Sequence, residues 1–386
     1  MISVGIDVAK KDHNCCIRFD ENTFKEFSFS NTREGFDLLN DTLKALNDNI
    51  CVGLESTGHY GINLEAFLRN EGYTLMVFNP LIVDKFKKSQ TLRKTKTDKS
   101  DARLIATLLL TQTQETTFDI PTEIKELKSL SRNRFRLVKE TSKLIMQLTR
   151  ILDIIFPEFD DIFYSRHCKS SYAILKAFPS TQELSNANLT KLTKILKKAS
   201  HGRFSKPKAV EIVNLAKKSI GYSDRTLAFE LQQTIRLIEH FEEEISFLTK
   251  EQEKLLNSLN SPITSVTGIS TNLGSIILSE IGDIHRFKTP SKLLAFAGLE
   301  PSIYQSGQYN APQGKMVKRG SPYLRWALIQ AAKLISNSDK TFKDYLFKKQ
   351  TTEGKPYLVA LSHVAKKLVR VLFYLLKNNN DFIAQS

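Results

Sequence analysis

Apolar residues in the first 110 positions form short runs that predict strands separated by helices. The strand candidates are short and rich in β-branched and aromatic residues. They are I-S-V-G-I-D-V (2–8), C-C-I-R-F (15–19), F-K-E-F-S-F-S (24–30), I-C-V-G-L-E (50–55) and Y-T-L-M-V-F-N-P (73–80). Helical spacing follows the capping pair Asn31-Thr32, recurs at 61–72 and returns after Asp98. The resulting βββαβαβα order predicts an α/β domain with a mixed sheet.

From about residue 119 the apolar residues recur in steps of three and four. The first run contains Leu127, Leu130, Leu137, Leu144, Leu148, Ile151 and Ile155. The second run contains Leu227, Leu231, Thr234, Ile238, Phe241, Ile245, Leu248 and Leu255. Each run spans about four to five heptads, which predicts coiled-coil helices. These helices can pair with each other or with those of a second subunit, and the heptad pattern does not distinguish the two arrangements.

The remaining segments also favour helices. Residues 160–222, between the two heptad runs, are rich in Lys and Ser and predict short helical pieces. Beyond residue 257, helical patterns alternate with Gly- and Pro-containing turns, and a polar loop occupies 302–320. The organisation is therefore an α/β domain over 1–118, a helical region over 119–256 and a mostly α domain over 257–386.

Composition points to a polyanionic partner. The 386 residues include 56 Lys and Arg against 41 Asp and Glu, a net charge of +15. Such a balance favours nucleic acid. The four cysteines lack C-x-x-C spacing, which argues against zinc and fits a reducing compartment. Because no signal peptide or membrane-length apolar run is visible, we expect a cytoplasmic protein without a membrane partner.

Two carboxylates lie within a strongly basic segment. Between residues 85 and 103, eight Lys and Arg accompany only Asp98 and Asp101. These acids can start a helix, by capping and by complementing its dipole. Alternatively, because they are three residues apart, they can share a helix face and bind one Mg²⁺ ion.

Further acids end two of the predicted strands. Asp7 ends the first strand and Glu55 ends the fourth. A carboxylate in an apolar strand is costly unless it is paired or binds metal. The four acids could gather around one or two Mg²⁺ ions, which suits phosphodiester chemistry. The basic residues beside them would then contact the nucleic-acid backbone; they are Lys94, Lys96, Lys99 and Arg103.

Taken together, these motifs resemble the DEDD transposases of bacterial insertion sequences, a family of bridge-RNA-guided recombinases. The resemblance covers nearly the whole chain. Its most specific pieces are D-V-A-K (7–10), L-E-S-T-G-H-Y (54–60), K-T-D-K-S-D-A (96–102), A-G-L-E-P-S-I-Y-Q-S-G (297–307) and K-R-G-S-P-Y-L-R (318–325). It implies an RNase H/RuvC-like catalytic domain at 1–118, a coiled-coil region at 119–256 and a C-terminal transposase domain at 257–386 that carries a serine loop.

The resemblance also implies roles for individual residues. Asp7, Glu55, Asp98 and Asp101 would be catalytic and bind Mg²⁺, or Mn²⁺ in its place. Ser306 would be the nucleophile that attacks a DNA phosphodiester, with Ser302 as a rival in the same loop. Gln308 stands where the family often has a second Gly. Candidate phosphate contacts near the loop are Lys315, Lys318, Arg319 and Arg325.

The implied partners are donor and target DNA, a guide RNA from the flanking region of the element, and further copies of the chain. The oligomer would be a dimer or tetramer held by the coiled-coil helices, at work on the bacterial nucleoid. One alternative is a RuvC-type Holliday-junction resolvase or nuclease that uses the same acids with water, so that Ser306 is dispensable. The other is a non-catalytic nucleic-acid-binding scaffold. Protein-linked 5′ ends on cut DNA would support the serine mechanism, and free ends would support hydrolysis.

Overall fold

The computed structural model describes residues 2–20, 22–56, 58–90, 98–111, 120–222, 224–302, 305–306, 309–310 and 314–384. At 98–99, 305–306 and 309–310 it describes the backbone only. The chain divides into two compact units, Met1–Asp119 and Ile120–Ser386. A further division of the second unit near residue 257 stays a prediction.

The N-terminal unit contains five strands and four helices in its described part. They are β1 (Ile2–Asp7), β2 (Asp12–Arg18), β3 (Phe24–Ser30), α1 (Arg33–Lys44), β4 (Ile50–Glu55), α2 (Ile62–Asn70), β5 (Thr74–Phe78), α3 (Pro80–Gln90) and α4 (Asp98–Thr111). All the expected elements are present, and the cap at Thr32 is confirmed because its side chain accepts from the Gly35 amide. The sequence pattern does not predict helix α3, because Pro80 at the end of the strand candidate 73–80 indicates only that the strand stops.

The extra helix has a local cause. Proline is well suited to a first helical position because its φ angle is already helical and it has no N–H to satisfy. Asn79 precedes it and accepts a hydrogen bond from the Leu81 amide at 2.9 Å. The Asn-Pro pair therefore ends β5 and begins α3 at once.

The five strands form one mixed sheet in the order β3-β2-β1-β4-β5. β1 is antiparallel to β2, and β2 to β3. β1 is parallel to β4, and β4 to β5. One face buries Val4, Ile6 and Val52 in a core with Leu39 of α1 and Leu64 of α2. This confirms the mixed α/β sheet.

The other face of the sheet packs against α4 at very short range. A Cβ atom on Gly5 would lie 2.2 Å from the carbonyl oxygen of Ala102 and 2.3 Å from the amide nitrogen of Ala106. Further along the helix, Thr107 accepts from Arg18, which pairs with the first half of β1. Helix α4 therefore runs antiparallel to β1, and its first turn lies at the strand end that carries Asp7.

The second unit is almost entirely helical. Its helices are α5 (Thr122–Ile155), α6 (Lys169–Ala177), α7 (Thr181–Ser185), α8 (Leu189–Ala199), α9 (Lys206–Lys218), α10 (Arg225–Ser258), α11 (Thr271–Ile281), α12 (Pro290–Phe296), α13 (Pro322–Ser338), α14 (Lys340–Thr351) and α15 (Tyr357–Asn378). Short 3-10 turns occupy Pro157–Asp161, Pro262–Ser265 and Ile284–Arg286, and a two-residue hairpin pairs β6 (Gln305–Ser306) with β7 (Tyr309–Asn310). No helix in the described ranges has the length and apolarity needed to cross a membrane.

The two long helices α5 and α10 pack antiparallel within one chain. Gln252 donates to Ser131 at 2.8 Å near one end of the pair, and Gln147 donates to Glu230 at 2.9 Å near the other. Gln252, which interrupts the heptad pattern, is fully buried. Intrachain pairing is thus the arrangement found, while coiled-coil packing and its role in oligomer formation stay predictions.

The second unit has two cores at opposite ends of the long pair. One contains the C-terminal end of α5, the N-terminal half of α10 and helices α6 to α9. The other contains the start of α5, the end of α10 and helices α11 to α15. The helical insert and the C-terminal helices are therefore each packed around apolar side chains of their own.

The α4 contact predicts the effect of a single methyl group. Gly5→Ala should destabilise the N-terminal unit by about 1–3 kcal/mol, because the backbone of α4 must move away from the sheet. Gly61→Ala is the control, since its Cβ would lie at an ordinary 3.6 Å from Val8. Urea unfolding with hydrogen exchange of the β1 amides measures the difference. Equal stability of the two variants would contradict the backbone contact.

Candidate functional site

Two of the predicted acids lie side by side at one end of the sheet. Asp7 is the last residue of β1 and Glu55 the last of β4, and these parallel strands pair Ile6 with Leu54. Because side chains alternate between faces, both acids point to the face of Gly5, which α4 covers. Both are partly buried. Adjacent parallel strands thus bring two carboxylates to the same edge and face.

The other two acids begin the helix on that face. Asp98 is the first residue of α4, and Asp101 lies one turn further on. The Nζ atom of Lys87 in α3 lies 2.5 Å from Oδ1 of Asp101, whose side chain is 13% exposed. The first turn of α4 lies toward the end of β1, so all four acids belong to one end and one face of the sheet.

The donor set suits a hard cation. Carboxylate oxygens are the ligands that Mg²⁺ and Mn²⁺ prefer. Within the described residues no three His, Cys, Asp or Glu side chains converge on one point, and the side chain of Asp98 lies outside that part. Lys87 meanwhile supplies a positive charge to Asp101. Chemistry and placement fit a divalent metal, and the ligand set stays a prediction.

The basic residues predicted beside the acids are only partly described. Lys94 and Lys96 lie outside the described residues, as does the side chain of Lys99. Arg103 pairs with Glu26 of β3 at 2.9 Å and lies 4.2 Å from the centre of the Phe24 ring. The hydrogen bond to Glu26 raises the pKa of Arg103. In this structure Arg103 ties α4 to β3, and its phosphate contact stays a prediction.

Ser306 lies in the short strand β6 of the second unit. Ser306 pairs with Tyr309 where β6 and β7 run antiparallel. The side chain of Ser306 lies outside the described part of the chain. Below the hairpin, the Ser302 amide donates to the Lys315 carbonyl at 2.7 Å, and the Val317 amide donates to the Glu300 carbonyl at 3.0 Å. We call residues 300–317 the serine hairpin. The choice between Ser306 and Ser302 stays open.

The segment after the hairpin is held against α12. Gly320 has φ +99°, and a Cβ there would lie 2.0 Å from the carbonyl oxygen of Phe296. Arg325, a predicted phosphate contact, donates from Nη1 to the carbonyl of Lys318 at 3.1 Å. Lys315, near the end of the serine hairpin, is exposed, and so are Lys318 and Arg319, which directly follow it. Arg325 therefore holds the loop in place, and the three exposed residues are available to an anion.

A buried carboxylate that the sequence analysis missed supports the same segment. Glu280 of α11 is 2% exposed and accepts from Arg132 at 2.6 and 3.0 Å. It also accepts from the hydroxyl of Ser321 at 2.9 Å, and Ser321 caps α13. The signal was present as a single acid in the apolar run I-I-L-S-E-I. An acid there requires a charged partner, which lies 148 residues away.

More cations than carboxylates surround Glu280. Lys128 lies 3.9 Å from the carboxylate. Burial lowers the pKa of Lys128, and the charges of Arg132 and Arg286 lower it further, while Glu280 opposes the shift. The cluster links α5, α11 and α13, and thereby connects the long helix pair to the serine hairpin.

The class of protein follows from the placement of the acids together with a comparison of the sequence with known protein families. Residues 4–157 match a family model described as a transposase, of the DEDD type of IS110, and residues 260–346 match the transposase family IS116/IS110/IS902. The matches include Asp7, Glu55, Asp98 and Asp101 in one model and Ser306 in the other. The protein is a DNA-cutting and rejoining enzyme, a transposase. Since the two matches together cover more than half of the residues, the chain belongs to the IS110/IS116 family of transposases.

Individual relatives agree with the family match. The chain is 26% identical over 302 residues to the insertion element IS116 44.8 kDa protein of Streptomyces clavuligerus, covering 74% of this chain and 72% of that protein. It is 24% identical over 334 residues to the transposase for insertion sequence element IS1111A of Coxiella burnetii, covering 86% and 79%. These matches extend along most of both chains.

The Glu280 cluster predicts a large stability effect far from the acids. Glu280→Gln should destabilise the second unit by about 1–3 kcal/mol, because it removes the charged partner of Arg132 from a buried position. Glu251→Gln, which breaks an exposed pair with Lys254, should cost about 0.5 kcal/mol or less. Urea unfolding of the full chain measures both. A loss no greater for Glu280→Gln than for the control would show that the buried pair is not needed.

Proposed function

We propose that this transposase moves its insertion element with a serine nucleophile and a metal-binding DEDD site on a RuvC-like domain, guided by a structured RNA. The observation that carries the proposal is the placement of Asp7, Glu55 and the start of α4 at one end and face of the sheet. The strand order β3-β2-β1-β4-β5, with antiparallel strands on one side and parallel strands on the other, supports the RuvC-like assignment.

The four acids would hold Mg²⁺, or Mn²⁺ in its place. Asp7 and Glu55 would provide ligands from the strand ends, and Asp98 and Asp101 would provide them from the helix start. A bound divalent ion supplies charge stabilisation to a phosphate during phosphoryl transfer. Lys87 orients the Asp101 carboxylate by its 2.5 Å contact. The basic residues from Lys94 to Arg103 would hold the phosphate backbone close to these acids.

Ser306 would carry out the covalent step. Its Oγ attacks a DNA phosphorus, the bond from phosphorus to the 3′ oxygen breaks, and the 3′ hydroxyl leaves. The product is a phosphoserine linked to the 5′ end, which preserves the bond energy for rejoining. The closed base of the serine hairpin supports this role because a nucleophile must be held in a fixed position. The exposed Lys315, Lys318 and Arg319 would bind adjacent phosphates.

The proposed partners follow from the same chemistry. Donor and target DNA and a guide RNA from the flanking region of the element are polyanions, in keeping with the net charge of +15. Assembly into a dimer or tetramer would place several serine hairpins on the two recombining duplexes. The reaction would take place on the nucleoid in the bacterial cytoplasm.

An excision assay tests the acids and the serine together. The chain is expressed from its flanked element, and the junction of the excised circle is amplified. Asp98→Ala and Ser306→Ala should each lower circle yield at least about a hundredfold, as expected for the loss of a reacting group. The matched controls are Asp84→Ala, an exposed acid of α3, and Ser302→Ala, the rival serine. Both should retain circles.

The pattern of failures separates the mechanisms. If Ser306→Ala and Ser302→Ala both still yield circles while Asp98→Ala does not, neither serine is the nucleophile and water attacks in its place. If Ser302→Ala fails and Ser306→Ala does not, the rival serine carries the reaction. Retention of circles by Asp98→Ala would exclude the DEDD site.

Metal binding can be measured without DNA. Mg²⁺ at about 100 times its dissociation constant should stabilise the wild-type chain by about 2.7 kcal/mol. Asp7→Asn should lose most of this effect, because it removes one negative ligand at the strand end. Asp12→Asn, an exposed acid at the start of β2, should keep it. Thermal unfolding with and without Mg²⁺ reports the shift, and an equal shift in both variants would remove Asp7 from the ligand set.

A further inference from the structure

The helical insert between the long helices carries an unusual distribution of charge. Helices α6 to α9 form what we call the basic bundle, residues 169–218. From Leu184 to Val210 the chain contains seven Lys and Arg and no Asp or Glu. The seven are Lys191, Lys194, Lys197, Lys198, Arg203, Lys206 and Lys208. The family matches span 4–157 and 260–346, so the bundle lies outside both.

Most of these cations have no anionic partner in the structure. Lys208 pairs with Glu211 at 2.7 Å. The other six are exposed, and among the described residues none of them lies within ion-pair distance of a carboxylate. A surface of one sign repels itself and is destabilising unless a polyanion binds to it.

Helix stability does not account for the positions of the charges. Lys197 and Lys198 in the last turn of α8 favour the helix dipole. Lys191 in the first turn of α8, and Lys206 and Lys208 in the first turn of α9, oppose it, and neither first turn contains an acid. Each of these cations is unfavourable at a helix N-terminus, because it meets the positive end of the helix dipole. Their placement suits an anion, since helix N-termini and lysines attract the same ligand.

The lysines form a stripe of suitable length. Lys191, Lys194 and Lys198 follow the spacing i, i+3, i+7 along one side of α8. At 1.5 Å per residue the stripe is about 10 Å long, the axial length of about three phosphates on one DNA strand. The side chains of Leu192 and Leu196 on the opposite side are fully buried, so the stripe faces solvent.

The bundle is held firmly to the long helices. Lys176 of α6 pairs with Glu239 of α10 at 2.6 Å, and Gln232 donates to the Lys176 carbonyl at 2.8 Å. Beyond this point α10 becomes acidic: residues 239–253 contain six Glu and one Lys. Positive and negative charges are thus segregated: the bundle carries a positively charged surface, and residues 239–253 of the adjacent helix α10 are negatively charged.

We propose that the basic bundle is a sequence-independent clamp for the backbone of duplex DNA, formed by residues other than the four acids and the serine hairpin. The partner is DNA because the family is one of transposases, which must hold duplex beyond the bonds that they cut. The clamp rests on the family assignment and not on the metal or serine chemistry. It would hold flanking duplex through phosphate contacts alone.

The test compares two fourfold variants of the full chain, each with Asp98→Asn to prevent cleavage. The bundle variant changes Lys191, Lys194, Lys198 and Lys206 to Gln. The control changes the exposed Lys333, Lys340, Lys343 and Lys348 of α13 and α14 to Gln, so that the net charge falls equally. Binding to a random-sequence 30-bp DNA duplex is measured from 50 to 300 mM salt, in parallel with a hairpin RNA of similar length.

The bundle variant should lower the salt slope of duplex binding by about 0.9 for each lost contact, about 3–4 in all. The control should lower it by less than about 1, and Lys191→Gln alone should lower it by about 0.9. This outcome supports the clamp whether or not RNA binding also falls. Equal slopes in the two fourfold variants, an unchanged bundle variant, or a loss confined to RNA would each overturn it. Unfolding midpoints of all variants confirm that the fold is intact, and the single variant decides if the fourfold one does not fold.

Discussion

The backbone contact between α4 and β1 is the constraint on which the acid site depends. With no side chain at Gly5, the carbonyl of Ala102 and the amide of Ala106 lie directly over the strand. This contact sets the height and direction of the helix, and so brings its first turn, with Asp98 and Asp101, to the end of the sheet where Asp7 and Glu55 lie. The close approach of α4 to β1 thus brings acids from three separate segments to one end and one face of the sheet.

In the second unit, a buried carboxylate and tight turns hold the serine hairpin in place. The buried Glu280 joins Arg132 of the long helix to Ser321, the cap of α13. Gly320 approaches the Phe296 carbonyl closely, and the side chain of Arg325 in α13 donates to the Lys318 carbonyl; both contacts hold the segment that follows the serine hairpin. The proposed nucleophile would need a fixed position, and a buried carboxylate with its partners and tight turns would hold the hairpin in place. The basic bundle has its own apolar core and is proposed to bind phosphate as a further surface of the second unit.

Local patterns predicted most of the fold, and long-range contacts account for what was missed. Strand periodicity and caps gave β1 to β5 and the mixed sheet, because each depends on a few neighbouring residues. Helix α3 was missed because Pro80 reads both as a strand stop and as a helix start. Gln252 interrupts the apolar pattern of the second heptad run, yet it is buried against Ser131, 121 residues away. Glu280 and the structural use of Arg325 depend on partners that only the folded chain brings together. The four acids were predicted from their motifs, and their role as metal ligands stays a prediction.

The most direct test of the account is to identify the residue that becomes linked to DNA. The chain is allowed to cut a duplex carrying the ends of its element, the DNA is trimmed with nuclease, and the peptides are analysed by mass spectrometry. The account predicts a nucleotide attached through a phosphate to Ser306 in wild type and no such adduct in Asp98→Ala. An adduct on another residue, or complete cleavage with free 5′ ends and no adduct, would contradict the serine mechanism.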